Sequence, residues 1–511
     1  CMYLKKYNDS NFYLKKILSI NNNHFESLCS IAKNYFNLND INKSKNYFLK
    51  AYAINSKDLN VLKNISKIYF IEKNLSSSED FTNKILDLDP NNAEALNILG
   101  LIKSMRNQKE DAKIIFEKAT FKNPEFIDPL INLGIYFRQK GDYLNAVKYY
   151  NKAMLIDSNN PNLLVNYGIA LTNMRYFKKA NYLYEKCIEI DNENNEAYYN
   201  YSLNLLRIKK FDKGWQFYNK RWRAFPDKFK FLKTEKPLWA GDYSKKVFVW
   251  FEQGIGDEIM FSSLVNDIYD CFDDVIFGVN EKLIPVFENS FSKNLKFINK
   301  NDYRKYIFDY HIPIGNLLKI FRKNEKDFNQ KSWLKVNNNF KDYISKEFSI
   351  LPKNNLKIGI SWKTSNERES IKRSVDLFSI LNKIQNKKIS FINLQYGDVF
   401  NEIEAAKRIL KINILNLKKI SNYNDIDGLL QIMFKCDVVI SIDNTTIHLA
   451  SAIGKDTRAL IPFSADFRWG LKSNKSYWYE TLKLYRQKNF KNWDYPLDKL
   501  NEDMKYLINK I

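Results

Sequence analysis

Small side chains, and separately large ones, recur every 34 residues through the first part of the chain. One column of small residues and one of mostly aromatic residues share this spacing. The small column is Ala32, Ser66, Gly100, Gly134, Gly168 and Ser202. The aromatic column is Phe48, Thr82, Phe116, Tyr150, Tyr184 and Tyr218. A small residue where two helices approach, with a large one between them, predicts a stacked array of helical hairpins.

Two further columns keep the same register, and Pro90 and Pro124 fall at the closing turn of the unit. The period and these positions resemble the tetratricopeptide repeat. The resemblance predicts six full repeats, at 25–58, 59–92, 93–126, 127–160, 161–194 and 195–228.

The same columns extend backwards beyond the first full repeat. Ser10 and Leu14 take positions in the second helix of a further repeat, whose first helix is missing. We therefore predict a solenoid over 1–228 with a partial first repeat, in a chain that begins inside a longer array. A lipid anchor on Cys1 is the alternative interpretation.

An asparagine recurs at one inward-facing position of the predicted repeats, with Ile98 interrupting the row. The asparagines are Asn64, Asn132, Asn166 and Asn200. Repeat solenoids present a concave binding surface. A row of amides there can hydrogen-bond the backbone of an extended peptide without reading its sequence. The competing interpretation is that asparagine is simply abundant in this chain.

After a linker predicted at 229–246, short β-rich runs alternate with helical stretches. The runs are Val247–Phe251, Val275–Val279, Lys357–Trp362, Ile389–Leu394, Ile412–Leu415, Val438–Ile442 and Arg458–Ile461. This alternation predicts parallel, doubly wound sheets. A polar stretch containing Pro352 divides them into domains at 247–350 and 351–511. Ligands of such sheets bind at the carboxyl ends of the strands.

Three segments at predicted strand ends carry candidate chemistry. Gly254 and Gly256 follow the first strand and permit a tight turn and a close backbone approach. Asp257 comes next, as a general base facing the cleft or as an ordinary carboxylate at a helix start. The third glycine of a dinucleotide fingerprint is absent, because Ile259 stands in its place, so the motif is weak support for NAD.

The second segment is a basic loop, in which Lys363 and Arg373 could grip a phosphate or belong to a solvated surface. The third follows the strand that ends at Ile442. Its polar residues are Asp443, Asn444, Thr445, Thr446 and His448. Free amides at this predicted helix start suit a diphosphate. Asp443 could instead hold the loop, and His448 could be a packed residue.

Composition narrows the classes of protein. Lysine and arginine number 81 against 58 acidic residues, a formal charge of +23, but no block of like charge is long enough to read as a binding tail. Five scattered cysteines without a CxxC pair indicate neither a zinc cluster nor a disulfide framework, which favours a reducing, cytoplasmic setting. No apolar run approaches the ~18 residues of a transmembrane helix.

Taken together, the segments EQGIGDEIMF, SWKTSNERESIKRSVDLF, FINLQYGD, CDVVISIDNTTIHLASAIGK and LIPFSADFRWGLKSNKSYWYETLKLYRQ resemble a known family. They are similar to bacterial tetratricopeptide proteins with a glycosyltransferase family 9, heptosyltransferase-like module. The resemblance spans roughly 212–487. It implies a GT-B fold of two Rossmann-like domains after the α-solenoid, with an acceptor domain followed by a donor domain.

The resemblance also implies roles for the candidate residues. Asp257 matches the general base of the family, and Lys363 and Arg373 match the region that contacts donor phosphates. Gln395 lies in the segment near the nucleotide, and 443–448 matches the donor diphosphate loop. The implied reaction is inverting and needs neither a metal nor a cofactor, the nucleotide-diphosphate sugar being a substrate.

The predicted protein is thus a cytoplasmic glycosyltransferase whose repeats recruit a protein or glycan acceptor, with peripheral membrane contact possible. Its rival is a non-catalytic tetratricopeptide scaffold with a degenerate transferase module. A nucleic-acid binder rests on charge alone, because no recognition module is present.

Overall fold

The computed structural model describes residues 2–510, without the side chains of residues 2–5, Glu367 and Arg368. The predictions that concern Cys1 lie outside the described residues. The chain divides into two compact units, Cys1–Asp191 and Asn192–Ile511.

The first unit is a series of helical hairpins. Its helices are α1 (Met2–Ile20), α2 (Phe25–Asn37), α3 (Ile41–Ile54), α4 (Leu59–Ile71), α5 (Leu75–Leu88), α6 (Ala93–Met105), α7 (Lys109–Lys122), α8 (Ile127–Lys140), α9 (Tyr143–Ile156), α10 (Pro161–Asn173) and α11 (Phe177–Ile190). From α2 onward they pair in the predicted register, and α1 holds the predicted partial repeat. Asparagine and aspartate caps start most of them; the Asp58 carboxylate, for example, accepts from the Val61 amide at 2.8 Å.

The predicted match of small and large residues is present inside the third, fourth and fifth hairpins. A Cβ added to Gly100, Gly134 or Gly168 would lie 2.3–2.5 Å from the nearest carbon of an aromatic ring on the second helix. Glycine therefore provides the space that the ring occupies. In the second repeat, Thr82 replaces the ring, and its hydroxyl lies 2.6 Å from the Ser66 hydroxyl.

The turn inside each repeat takes a left-handed conformation that the sequence analysis did not foresee. One such position occurs in every full repeat, with φ between 60° and 79°: Asn39, Lys73, Asn107, Gly141, Arg175 and Lys209. A single left-handed residue is a common helix end, and glycine adopts it most easily. Of these six, only the fourth repeat uses glycine.

The second unit begins with the sixth hairpin and continues into α/β structure. Its helices are α12 (Asn195–Arg207), α13 (Phe211–Tyr218), α14 (Arg221–Ala224), α15 (Ile255–Phe261), α16 (Val265–Cys271), α17 (Ile284–Ser290), α18 (Leu318–Phe321), α19 (Lys341–Phe348), α20 (Glu367–Arg373), α21 (Leu377–Ile384), α22 (Phe400–Leu410), α23 (Ile426–Lys435), α24 (Thr445–Ala452) and α25 (Asp494–Ile508). Its strands are β1 (Lys246–Trp250), β2 (Asp274–Val279), β3 (Lys296–Asn299), β4 (Tyr310–Pro313), β5 (Leu356–Ser361), β6 (Ile389–Asn393), β7 (Ile414–Leu415), β8 (Val438–Ile442), β9 (Thr457–Ile461) and β10 (Leu482–Arg486).

Two parallel sheets form the frame of this unit. The smaller has the order β3-β2-β1-β4 and the larger β10-β9-β8-β5-β6-β7. All neighbouring strands in both sheets are parallel. In each sheet the strand order reverses beside the first strand, at β1/β4 and at β5/β8. A crevice for ligands opens at such a switch point, beyond the carboxyl ends of the strands.

The division between the units differs from the predicted end of the solenoid at 228. The sixth hairpin, α12 and α13, packs with the α/β structure. The Trp215 indole donates to the Arg322 carbonyl at 2.9 Å, and the rings of Phe211 and Phe328 lie 4.9 Å apart. Its apolar surface is therefore buried against the α/β part of the chain.

A buried ion pair fixes the end of β1 to α14. Arg221 and Glu252 are 0% and 3% exposed. The Arg221 guanidinium donates to both carboxylate oxygens of Glu252, and also to the Tyr218 carbonyl and the Asn316 side chain. The guanidinium carbon lies 4.3 Å from the ring centroid of Tyr218 and equally far from that of Trp222. This pair holds the backbone that leads into the glycine turn.

Candidate functional site

The switch points of the two sheets meet at one place in the second unit. The β5/β8 register pairs Ser361 with Ser441, so both strands end level. The loop after β8 starts α24, and α15, after the glycine turn, packs against it. A Cβ on Gly256 would lie 3.0 Å from His448 Cδ2 and 3.5 Å from the Cα of Thr445. The absence of a side chain at Gly256 therefore lets α15 pass close to the start of α24.

The tight turn before α15 uses a different residue from the one expected. Gly254 has an extended backbone and leads into α15, with φ −95°. The left-handed residue is Gln253, at φ 68°. Its side-chain amide donates to the Tyr218 hydroxyl at 2.6 Å, which helps to hold that conformation.

Asp257 lies in an ion pair that the sequence analysis missed. Its carboxylate accepts from the guanidinium of Arg468, which stands on a short turn between β9 and β10. Arg468 also pairs with Asp466, at 2.5 Å between Nη1 and Oδ1. Burial pushes the pKa of Asp466 upward, but the charges of Arg468, Arg207 and Arg373 lower it to about 2. Asp466 is therefore ionised at neutral pH.

A second pair of oppositely charged side chains, Asp443 and Arg373, lies beside this one. The buried Asp443 accepts from the Trp469 indole at 2.8 Å through Oδ1. Its Oδ2 has no hydrogen-bond partner and lies 3.5 Å from Nη1 of Arg373. Burial raises the pKa of Asp443, and the positive charge of Arg373 opposes that rise. A hydroxyl or ammonium group of a ligand would complete this carboxylate.

His448 is buried at the centre of the site. Its ring stacks on Trp469 with 5.2 Å between centroids, and Nδ1 lies 2.7 Å from the Tyr479 hydroxyl. Burial, assisted by the positive charge of Arg468, lowers the pKa of His448 to about 3. The imidazole is therefore neutral at pH 7, and it packs against the glycine turn.

The start of α24 is built by Asn444. Its Oδ1 accepts from the Thr446 amide at 3.0 Å and from the Ser441 hydroxyl at 2.9 Å. Its Nδ2 donates to the Ser361 hydroxyl at 2.8 Å. Asn444 and Thr446 are buried, whereas Thr445 is partly exposed. Asn444 thus joins the ends of β5 and β8.

Two predicted donor-binding residues have other partners. The buried Gln395 accepts from the Ser361 hydroxyl and from the amides of Trp362 and Lys363, at 2.8–2.9 Å. Its amide group shapes the loop after β5. The Lys363 ammonium pairs with Glu402 and donates to the Asp398 carbonyl at 3.3 Å, so neither group is directed at the Asp257 pair.

The predicted asparagine row lies partly exposed on first helices of the repeats. In the first unit, Asn64 and Asn166 donate to backbone carbonyls one turn earlier, and Asn132 donates to Asn97 Oδ1 at 2.9 Å. Asn200, in the second unit, donates to the Glu196 carbonyl at 3.0 Å. Each amide thus makes a hydrogen bond within its own unit.

The first unit is built of helical hairpins of the tetratricopeptide type, and the second unit holds parallel sheets with a buried cluster of acidic and basic side chains. A family model described as tetratricopeptide repeat matches residues 25–58 and 127–160. These are the first and fourth full repeats in the predicted register. Among the helices within residues 2–510, none is both long and apolar enough to cross a membrane.

Protein FlbA of Caulobacter vibrioides is 26% identical to this chain over 302 residues. The match covers 55% of this chain and 50% of the relative, so the chain spans about half the length of the curated relative it matches.

Similar solved structures include pilF of Pseudomonas aeruginosa, at TM-score 0.34 and 18% identity, covering 40% of this chain and 92% of that one. Another is YrrB, a tetratricopeptide protein with an unusual peptide-binding site, at TM-score 0.27 and 16% identity, covering 36% and 95%.

Proposed function

We propose that the second unit is an inverting glycosyltransferase of the GT-B type, which moves a sugar from a nucleotide-diphosphate donor to an acceptor. The acceptor is a protein or glycan recruited by the repeats. One observation carries the proposal. Asp257, Arg373 and the loop Asp443–His448 come from three separate segments, and they converge where the switch points of two parallel sheets meet.

The proposed chemistry divides between the two sides of this site. Asp257 removes the proton from an acceptor hydroxyl as its oxygen attacks the anomeric carbon of the donor sugar. The bond from that carbon to the diphosphate oxygen breaks, and the nucleotide diphosphate leaves with the electron pair. Arg373 and the start of α24 stabilise the charge that develops on the diphosphate. The neutral His448 supports the loop and takes no proton, because its pKa is about 3.

A thermal-shift panel of nucleotide sugars and nucleoside diphosphates tests the donor. A ligand at 100 times its Kd adds about 2.7 kcal/mol to the stability of the protein. A shift selective for one nucleotide sugar supports the proposal and names the donor. If a well-folded sample shifts with none of them, the non-catalytic scaffold becomes the better account.

The Asp257→Asn variant tests the base once a donor is known. We expect transfer to fall by about 10²–10⁴-fold, because the amide cannot take the acceptor proton. Donor binding should persist. Asp270→Asn, at an exposed carboxylate on α16, is the matched control and should retain full activity. Retained turnover in Asp257→Asn would sink the assignment of the base.

A further inference from the structure

The side chain of Arg468 is placed to serve two partners. Its backbone belongs to the short turn Phe467–Trp469, and this turn is well anchored. The Trp469 indole donates to Asp443, and Arg486 donates to the Gly470 carbonyl at 3.1 Å. The arginine side chain has several rotatable bonds beyond this fixed point. Its guanidinium can therefore change partner while the turn stays in place.

The partners seen in the structure neutralise the site. Three arginines, Arg207, Arg373 and Arg468, act on the same carboxylate, Asp466. Asp257 and Asp443 supply two further acidic side chains to the cluster. Glu369 pairs with Arg373 as well, at 3.2 Å, so four carboxylates face the three arginines. An anion that enters this cluster has to compete with a carboxylate for a guanidinium.

Of the two carboxylates that pair with Arg468, Asp257 is the one that can release the guanidinium. The side chains of Asp257 and Asp466 are each 18% exposed, but Asp466 lies within the field of all three arginines. Within residues 2–510, the Asp257 carboxylate has one ion-pair partner, Arg468, and it also accepts from the Gly254 amide at 3.4 Å. That amide lies at the start of α15 and stays beside the carboxylate when the guanidinium leaves.

We propose that Arg468 is a positioning residue that exchanges partners: it pairs with Asp257 as seen in the structure, and it turns to a diphosphate when one binds beside Arg373. This inference rests on the proposed function and adds the order of two events, donor binding and release of the base. The base is released when the donor diphosphate arrives, so the acceptor hydroxyl meets a free carboxylate only in the donor complex. Binding of the diphosphate and pairing of Asp257 with Arg468 then exclude each other.

Mutual exclusion makes a prediction that needs no sugar and no acceptor. Isothermal titration calorimetry of the full chain with inorganic pyrophosphate measures the affinity of the wild type and the variants. Asp257→Asn removes the competitor, so pyrophosphate should bind roughly tenfold more tightly. Arg468→Ala should bind it at least about tenfold more weakly. In the double variant, the gain from Asp257→Asn should disappear, because the shared guanidinium is gone.

The controls separate exchange from simple charge removal. If Asp257→Asn raises the affinity equally with and without Arg468, the carboxylate acts only as a repulsive charge and the proposal is overturned. Unchanged affinity in Asp257→Asn, or no binding of pyrophosphate to the wild type, overturns it as well. Arg468→Lys keeps the charge in case the alanine variant misfolds, and should recover part of the affinity and of the coupling. Arg408→Ala, at an exposed arginine on α22, should change neither.

This result is independent of the transferase test. If Asp257 and Arg468 are coupled in pyrophosphate binding but no sugar is transferred, the exchange of partners is supported and the transferase proposal is rejected. If sugar transfer depends on Asp257 but pyrophosphate binding shows no coupling to Arg468, the transferase proposal is supported and the exchange is rejected.

Discussion

Replacing Glu252 with alanine removes the counter-charge of a guanidinium that has no exposed surface. Arg221 then keeps its hydrogen bonds to the Tyr218 carbonyl and the Asn316 side chain but loses both to the carboxylate. The Gly315 amide, 3.2 Å from Glu252 Oε1, also loses its acceptor. Breaking a buried pair on one side typically costs about 3–5 kcal/mol. We expect a loss of this size in the free energy of unfolding of the second unit.

Tryptophan fluorescence during a urea titration measures that loss selectively. All nine tryptophans lie within Asn192–Ile511, and Trp222 stacks on the affected guanidinium. With a slope of about 3 kcal/mol per molar urea, the midpoint should fall by about 1–1.7 M. Circular dichroism at 222 nm, recorded on the same samples, follows the helices of both units and shows whether the hairpins of the first unit unfold separately.

The double variant Arg221→Met/Glu252→Leu completes the experiment. Replacing a buried ion pair by apolar residues of similar size is often nearly neutral. We expect it to be more stable than Arg221→Met or Glu252→Leu alone. A loss below about 1 kcal/mol in Glu252→Ala, or a double variant that loses the sum of the two single losses, would refute the reasoning.

Two other predictions use different parts of the chain. The folded state holds His448 neutral, with a pKa of about 3 against 6.5 for the free side chain, so its contribution to stability is present above pH 6.5 and is lost as pH falls towards 3. His448→Gln should therefore flatten the acid side of the stability profile by up to about 1.4 kcal/mol per pH unit, measured by urea titrations between pH 7 and pH 4; an unchanged slope would contradict the buried neutral imidazole. In the fourth repeat, Gly134→Ala places a Cβ 2.3 Å from the Tyr150 ring and should destabilise the first unit by about 1–3 kcal/mol in thermal circular dichroism. Gly134→Ser/Tyr150→Thr copies the pair found in the second repeat and should recover part of that loss, and no recovery would mean that ring volume is not what the glycine serves.

The helical repeats could be predicted because their signal is local. Each small residue and its partner lie 16 positions apart within one hairpin, so the pattern of side-chain sizes records the contact directly. The turns were missed because five of the six left-handed positions carry residues other than glycine. Residue type at these positions therefore does not reveal the left-handed conformation.

The strands, too, could be predicted where their local sequence signal is strong. All seven predicted β-rich runs correspond to strands, within two residues at each end. The three that were missed, β3, β4 and β10, lie at sheet edges. Their sequences, KFIN, YHIP and LKLYR, mix apolar with polar or proline residues. An edge strand is paired on one side only, so its apolar signal is weaker.

The candidate site was predictable in part. The glycine turn and the loop after β8 stand at strand ends, where parallel sheets bind ligands. The pairing of Asp257 with Arg468 joins residues 211 positions apart, and no local pattern announces it. Lys363 was chosen for its charge and Gln395 from the family resemblance, yet Lys363 pairs with Glu402 on α22 and Gln395 accepts from backbone amides of the loop after β5. Residue type and strand position locate a site, but partner choice requires the folded chain.

The fit between a glycine and an aromatic ring within one hairpin has a consequence for how the array can change in evolution. Gly100 meets Phe116, and Gly168 meets Tyr184, each pair inside a single repeat. A duplicated or deleted repeat therefore carries its own complementary pair with it, and the remaining hairpins need no new partner for that contact. The array can grow or shrink by whole repeats, while the α/β part of the chain keeps its sequence.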